Sequence, residues 1–125
     1  VNDLVHTTLI CEKVEKAKIS LILSNRNFLS NLKKIYFNVD QFTDVIAFNF
    51  EEENLEGEIY ISIDDVLENA KKYSVSLNDE FKRVLIHGVL HLIGYNDKTK
   101  NEIKNMRSLE EKYLSNNHEI IINLK

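Results

Sequence analysis

The sequence predicts a small α+β domain, a mixed sheet packed with helices, and three observations carry the prediction. Helical and strand hydrophobic periodicities follow one another in the order helix, strand, helix, two strands, three helices. The 125 residues are 43% hydrophobic and 29% charged, one domain's worth of globular chain, so residues 1–125 are read as a single domain. One segment, from Ser76 to about Ile93, is apolar nearly all round and marks the centre of the core.

Each element has its own signal. From Asn2 to about Val14, residues Leu4, Val5, Thr8 and Leu9 share one helical face. Ile19 to Leu23 reads as a strand. Asn25 is a fitting N-cap for a helix whose buried face is Phe28, Leu29, Leu32, Ile35 and Tyr36. Val45 to Phe50 is a nearly continuous apolar run, the pattern of an interior strand. An acidic connection, Glu51 to Glu56, ends at Gly57, and Glu58 to Ser62 is the next strand. Ser62 caps a helix carrying Ile63, Val66, Leu67 and Ala70, and Ser76 caps the long apolar one. Thr99 with Glu102 forms a capping box that opens a last helix, with Ile103, Met106, Leu109 and Tyr113 inward. The end of the chain, with Ile120, Ile121 and Ile122, reads equally as a short strand or an ordered terminus.

Composition excludes several classes. No apolar run approaches the roughly 18–20 residues of a membrane span, so no membrane partner is expected. The start has no signal-peptide core, and Cys11 is the only cysteine, which excludes an internal disulfide framework and fits a reducing cytoplasm. Sixteen basic against twenty acidic residues give a net charge of -4, so any nucleic acid must be held through a local patch.

Chemistry concentrates in His87-Gly88-Val89-Leu90-His91-Leu92-Ile93-Gly94-Tyr95-Asn96-Asp97. His87 and His91 are one helical turn apart and share a face. Hydrogen-bonded core histidines are one reading of the pair; two ligands of one metal are the other. Gly88 lies mid-helix, where glycine costs about 1 kcal/mol against alanine, so another backbone or a substrate is expected close by. Gly94 stands at the expected helix C′ position, from which Asp97 can turn back to the histidine face. The spacing His-x3-His-x2-Gly-x2-Asp supplies three protein ligands, His87, His91 and Asp97, and an open fourth position, as in catalytic zinc sites. It matches the metzincin peptidase pattern except that Gly88 replaces the glutamate general base, which disfavours peptide hydrolysis by that route. The chemistry then rests on the metal, with a metal-activated water as nucleophile and no catalytic side chain assigned.

His-Gly-x-Leu-His-Leu-x-Gly-Tyr resembles the motif of the YbeY family, bacterial endoribonucleases linked to ribosomal RNA maturation. Leu32, Tyr36, Asp40, Thr43-Asp44-Val45-Ile46, Phe48 and Gly57-Glu58-Ile59-Tyr60-Ile61-Ser62 resemble the family's upstream pattern. Met106 and Glu110 fall where it has a methionine and a glutamate, and the likeness covers roughly residues 24–114. The resemblance implies a compact α+β fold and one metal ion per chain on His87, His91 and position 97. That ion would be zinc or another divalent metal. It further implies metal-dependent cleavage of single-stranded RNA in maturing the 3′ end of small-subunit ribosomal RNA and in ribosome biogenesis. RNA is the implied partner, with the ribosomal subunit or ribosome-associated proteins beside it.

Four positions depart from the family's usual pattern. The third ligand is Asp97 where histidine is usual, which adds a negative charge and suits other divalent ions as well. Phe37 replaces an arginine associated with phosphate, Lys33 an asparagine and Ala47 a serine; Lys33 and Lys34, on one helix, read as compensating cations or, each taken singly, rather as solvated surface lysines. Thr43 and Asp44 read as groups orienting a ligand histidine or as a strand-start cap. Tyr95 and Asn96 read as substrate contacts or turn residues, and Tyr36, Phe48 and Tyr60 as core or as base-stacking rings. His6, His118 and Cys11 have no spacing partners and no assigned role. The alternative function is a ribosome-assembly binding protein with a structural metal and little catalysis.

Overall fold

The structure is a computed structural model that describes residues 2–14, 17–38, 43–49 and 55–115. Its elements are α1 (Asn2–Cys11), β1 (Ala17–Ser24), α2 (Arg26–Phe37), β2 (Val45–Asn49), β3 (Leu55–Ser62), α3 (Ile63–Lys72), α4 (Leu77–Leu92) and α5 (Lys100–Ser115). The order is the one expected. Phe50, most of the acidic connection (residues 51–54), Asp40, His118 and the isoleucine-rich end lie outside the described residues.

The helix starts follow from the capping side chains. Asn25, Ser62 and Ser76 accept from the backbone N–H groups of Phe28, Asp65 and Asp79. Thr99 and Glu102 close the reciprocal box, Thr99 N to Glu102 Oε1 at 2.9 Å and Glu102 N to Thr99 Oγ1 at 3.1 Å. α1 stops short of Val14 because Lys13 adopts φ 63°, letting Val14 N reach Leu9 O and Lys13 N reach Ile10 O.

The three strands form a mixed sheet in the order β1-β3-β2. β1 runs parallel to β3, Ile19 opposite Gly57 and Leu23 opposite Ile61. β2 runs antiparallel to β3, Val45 opposite Ile61 and Asn49 opposite Gly57. β3 is therefore the interior strand, and β2, despite its apolar run, is an edge. Its residues are apolar on both sides because α4 covers one face of the sheet and α2 part of the other. Val45 and Ala47 join the main core, while Phe48 meets rings of α2.

α4 is the central helix. Phe81, Val84, Leu85, Ile86, Val89, Leu90 and Leu92 are buried against Ile59 and Ile61 of the sheet, Leu4 and Leu9 of α1, Val66 of α3, and Met106 and Tyr113 of α5. Gly88 permits the close fit of helix to sheet. A Cβ there would lie 2.9 Å from Ile59 Cγ2 and 3.2 Å from Val45 Cγ2, so the close neighbours are sheet side chains rather than a backbone or a substrate. Two expected faces are more open than their periodicity implies. On α2 only Leu29 is buried, and Phe28, Ile35 and Tyr36 are exposed. On α5 Ile103 is also exposed. In both cases the apolar stripe is wider than the surface it meets. Among the described residues no helix is long and apolar enough to cross a membrane.

Candidate metal centre

The second half of α4 and the turn after it bring His87, His91 and Asp97 together. Gly94 makes the return possible. At φ +110° it closes the helix, with Tyr95 N bonded to Leu90 O and Gly94 N to His91 O. His87 Nε2 lies 2.9 Å from His91 Nε2, and Asp97 Oδ2 lies 3.3 Å and 3.5 Å from the two.

The other nitrogen of each ring is fixed from behind. His87 Nδ1 is 2.8 Å from Glu110 Oε2 on α5, and His91 Nδ1 is 2.9 Å from the carbonyl oxygen of Tyr95. A carbonyl can only accept, and a carboxylate accepts when ionised, so these partners place the ring protons on Nδ1 and leave both Nε2 lone pairs facing Asp97. Three acceptors converging in this way call for a shared cation. Tetrahedral zinc with donors at about 2.0–2.2 Å sets them about 3.3–3.6 Å apart, the range of the two Asp97 separations, while the two imidazole nitrogens stand closer, at 2.9 Å. His, His and Asp form the cluster of possible metal donors among the described residues, and the set fits a divalent ion of zinc type.

Buried polar side chains support the pair. Glu110, 3% exposed, also accepts from Arg83 Nη1 at 3.1 Å, and Arg83 grips Glu80 through Nε and Nη2 at 2.9 and 2.7 Å. Arg83 Nη2 approaches Asp44 Oδ2 at 3.9 Å, and Asn69 Nδ2 donates to Asp44 at 3.4 Å. Burial works against charge on His87, yet the bond and charge of Glu110, with Asp97 and Asp44, outweigh it and hold the imidazole above its ordinary pKa. Burial pushes the Asp44 carboxyl upward, against the pull of Arg83. The guanidinium of Arg83 is held above its already high value by Glu80, despite its burial.

The other candidates separate clearly. Asp44 faces Arg83 and adds negative charge in the neighbourhood of His87, whereas Thr43 Oγ1 donates to Val45 O at 3.0 Å and serves the start of β2. Tyr95 contributes its carbonyl; its hydroxyl turns away to Glu12, which also accepts from Tyr113. Asn96 is exposed, and Met106 is core. Cys11 is exposed, and His6 lines an apolar groove with Val5, Leu9 and Ile19. Tyr36, Phe48 and Tyr60 meet in one aromatic cluster. The parts the motif does not announce are Glu110 as the partner of His87 and Arg83 as its counter-charge. Their signal is faint: a carboxylate at an inward position of α5, four residues after Met106, and an arginine one turn before His87.

Comparison with known proteins finds relatives along most of the chain. The profile of the family described as Endoribonuclease YbeY matches residues 1–118. The Endoribonuclease YbeY of Amoebophilus asiaticus is 40% identical over 126 residues, 99% of this chain and 84% of that protein. That of Flavobacterium psychrophilum is 40% identical over 111 residues, 88% and 79% of the two chains. A solution structure of a Thermotoga maritima protein superposes with a TM-score of 0.62 at 29% identity, covering 91% of this chain and 73% of that one.

Proposed function

The chain belongs to the YbeY endoribonuclease family, and from that membership and its three-donor centre we propose that it is a metal-dependent, single-strand-specific endoribonuclease of ribosomal RNA maturation. Its substrate in this reading is the 3′ end region of small-subunit ribosomal RNA, and the work is done on or beside the ribosomal subunit in the cytoplasm. The observation that carries the proposal is the convergence of His87 Nε2, His91 Nε2 and Asp97 Oδ2, with each imidazole fixed through Nδ1.

His87, His91 and Asp97 would hold one ion, zinc in the first instance. Bound there, a divalent ion supplies Lewis-acid polarisation of a phosphodiester and brings the pKa of water toward neutrality. Glu110 and the Tyr95 carbonyl keep both rings oriented with Nε2 free, which raises the basicity of the donors. Asp97 brings negative charge to the donor set, and Arg83 offsets the charge of Glu110 behind it. Gly88 gives α4 no carboxylate between its histidines, so the helix itself presents no general base.

Labelled single-stranded and duplex RNA of one sequence provide the test. Wild-type protein cleaves the single strand internally and spares the duplex. A strong chelator abolishes cleavage and a divalent ion restores it. Asp97→Ala stays folded, because its side chain is 41% exposed, and loses cleavage. Failure of the metal-loaded wild type on every single-stranded RNA, with an intact site, would reject the enzyme and favour a binding protein.

A further inference from the structure

On the sheet face opposite α4 there is an aromatic ledge that the metal centre does not use. Phe37, in the last turn of α2, stacks nearly parallel on Phe48 of β2, centroids 5.6 Å apart and planes at 16°. Tyr36 meets the same ring edge-on at 5.3 Å, and Phe48 is edge-on to Tyr60 at 5.8 Å. Phe37 remains 49% exposed and Tyr36 66%. One ring is thus pinned flat by a neighbour while much of its surface is open.

Two features say what such a ledge suits. Lys33 and Lys34 stand one turn before Phe37, at the i, i+4 and i, i+3 spacings that put side chains on one face of a helix, so two cationic residues share the face of the open ring. β2 also runs alongside the metal helix: Asp44, just before it, faces Arg83, and Asn49, at its end, donates to the carbonyl of Leu92, the residue after His91. The ledge is therefore carried by the edge strand beside the metal centre, on its other face. A flat aromatic ring with adjacent cations matches a base and its phosphate, the combination that holds single strands without reading sequence.

We propose that Phe37, supported on Phe48 and sharing its helix face with Lys33 and Lys34, is a stacking platform for an unpaired nucleobase of single-stranded RNA, across the edge strand β2 from the site of cleavage. The inference rests on the endoribonuclease reading and adds to it the means by which a chain of net charge -4 discriminates single strand from duplex, since a paired base cannot present its face.

The chain contains no tryptophan, so Phe37→Trp places a single indole on the platform. The probe is a 2′-O-methyl oligoadenylate of about eight nucleotides, within the usual single-strand site size. An abasic strand of equal length and charge is the control. Stacking predicts that the oligoadenylate quenches the indole and the abasic strand does not. On cleavable RNA, Phe37→Ala and Phe37→Leu raise KM about tenfold with kcat kept, while Phe37→Trp retains wild-type KM. Equal quenching by both strands, or none, overturns the proposal, as does a Phe37→Leu protein with wild-type KM. A change in oligomeric state on Phe37→Ala also overturns it, by showing that a second copy covers the face. The two readings fail separately: cleavage with an unaffected Phe37→Ala rejects the platform alone, and base-specific quenching without any cleavage rejects the nuclease.

Discussion

Glu110 is the most informative residue to change, because it tests whether the centre is built from behind. It is almost wholly buried and holds His87 Nδ1 at 2.8 Å and Arg83 Nη1 at 3.1 Å. Glutamine has the same shape but only one oxygen, so one of the two donors must face an amide N–H. The loss is one hydrogen bond of charged character, about 1.5–3 kcal/mol. Alanine leaves both donors without this acceptor and leaves Arg83 with Glu80 and the more distant Asp44, a broken buried pair costing about 3–5 kcal/mol. Both changes also free the His87 ring, and lost partners of this type lower metal affinity about 10–100-fold. Urea unfolding of the metal-free protein reads the first effect, and zinc competition against a chromophoric chelator reads the second. Stability should fall in the order wild type, Glu110→Gln, Glu110→Ala, with zinc affinity reduced in both. If zinc affinity is unchanged while stability drops, Glu110 is a core residue with no hold on the metal site, and the reasoning fails.

Three further outcomes follow from the structure. Gly88→Ala drives a methyl into Ile59 and Val45; overpacking of about 1–3 kcal/mol exceeds the ~1 kcal/mol of helix propensity regained, so denaturant unfolding should show a net loss, and a stabilised variant would contradict the helix–sheet fit. Thr99→Ala removes the cap of α5 two residues after Asp97 and should cost about 1 kcal/mol; no change in the unfolding midpoint would deny the cap its role. Burial raises the Asp44 carboxyl above the ordinary aspartate value of 3.8, so its protonated form is the one the fold favours. Its stabilising contribution is complete below 3.8 and is lost as pH rises through the raised folded value, so wild type should gain stability relative to Asp44→Asn as pH falls from 7 toward 4. The opposite slope in paired unfolding curves would show that Arg83 governs this group.

The sequence makes the order of elements legible because caps and periodicity are local: Asn25, Ser62, Ser76 and the Thr99–Glu102 box each state where a helix begins. The meeting of the three candidate donors is legible for the same reason, since one turn of helix and one glycine-terminated corner place His87, His91 and Asp97 together. What depends on remote neighbours is not. The apolar run of β2 reads as interior, but its partners are one strand and two layers of helix, which leave it an edge. The stripe on α2 reads as buried, but the sheet beneath covers little more than Leu29. Glu110 and Arg83 lie on different helices, so their pairing behind His87 has no signature in either segment alone.

The central claim is that His87, His91 and Asp97 hold one divalent ion. Elemental analysis of protein purified without a metal-affinity tag, beside a His91→Ala variant prepared identically, tests it most directly. The account predicts about one equivalent of zinc or another first-row metal per wild-type chain and essentially none in the variant. A wild-type chain that stays empty after reconstitution, or a variant that keeps its full equivalent, would contradict it.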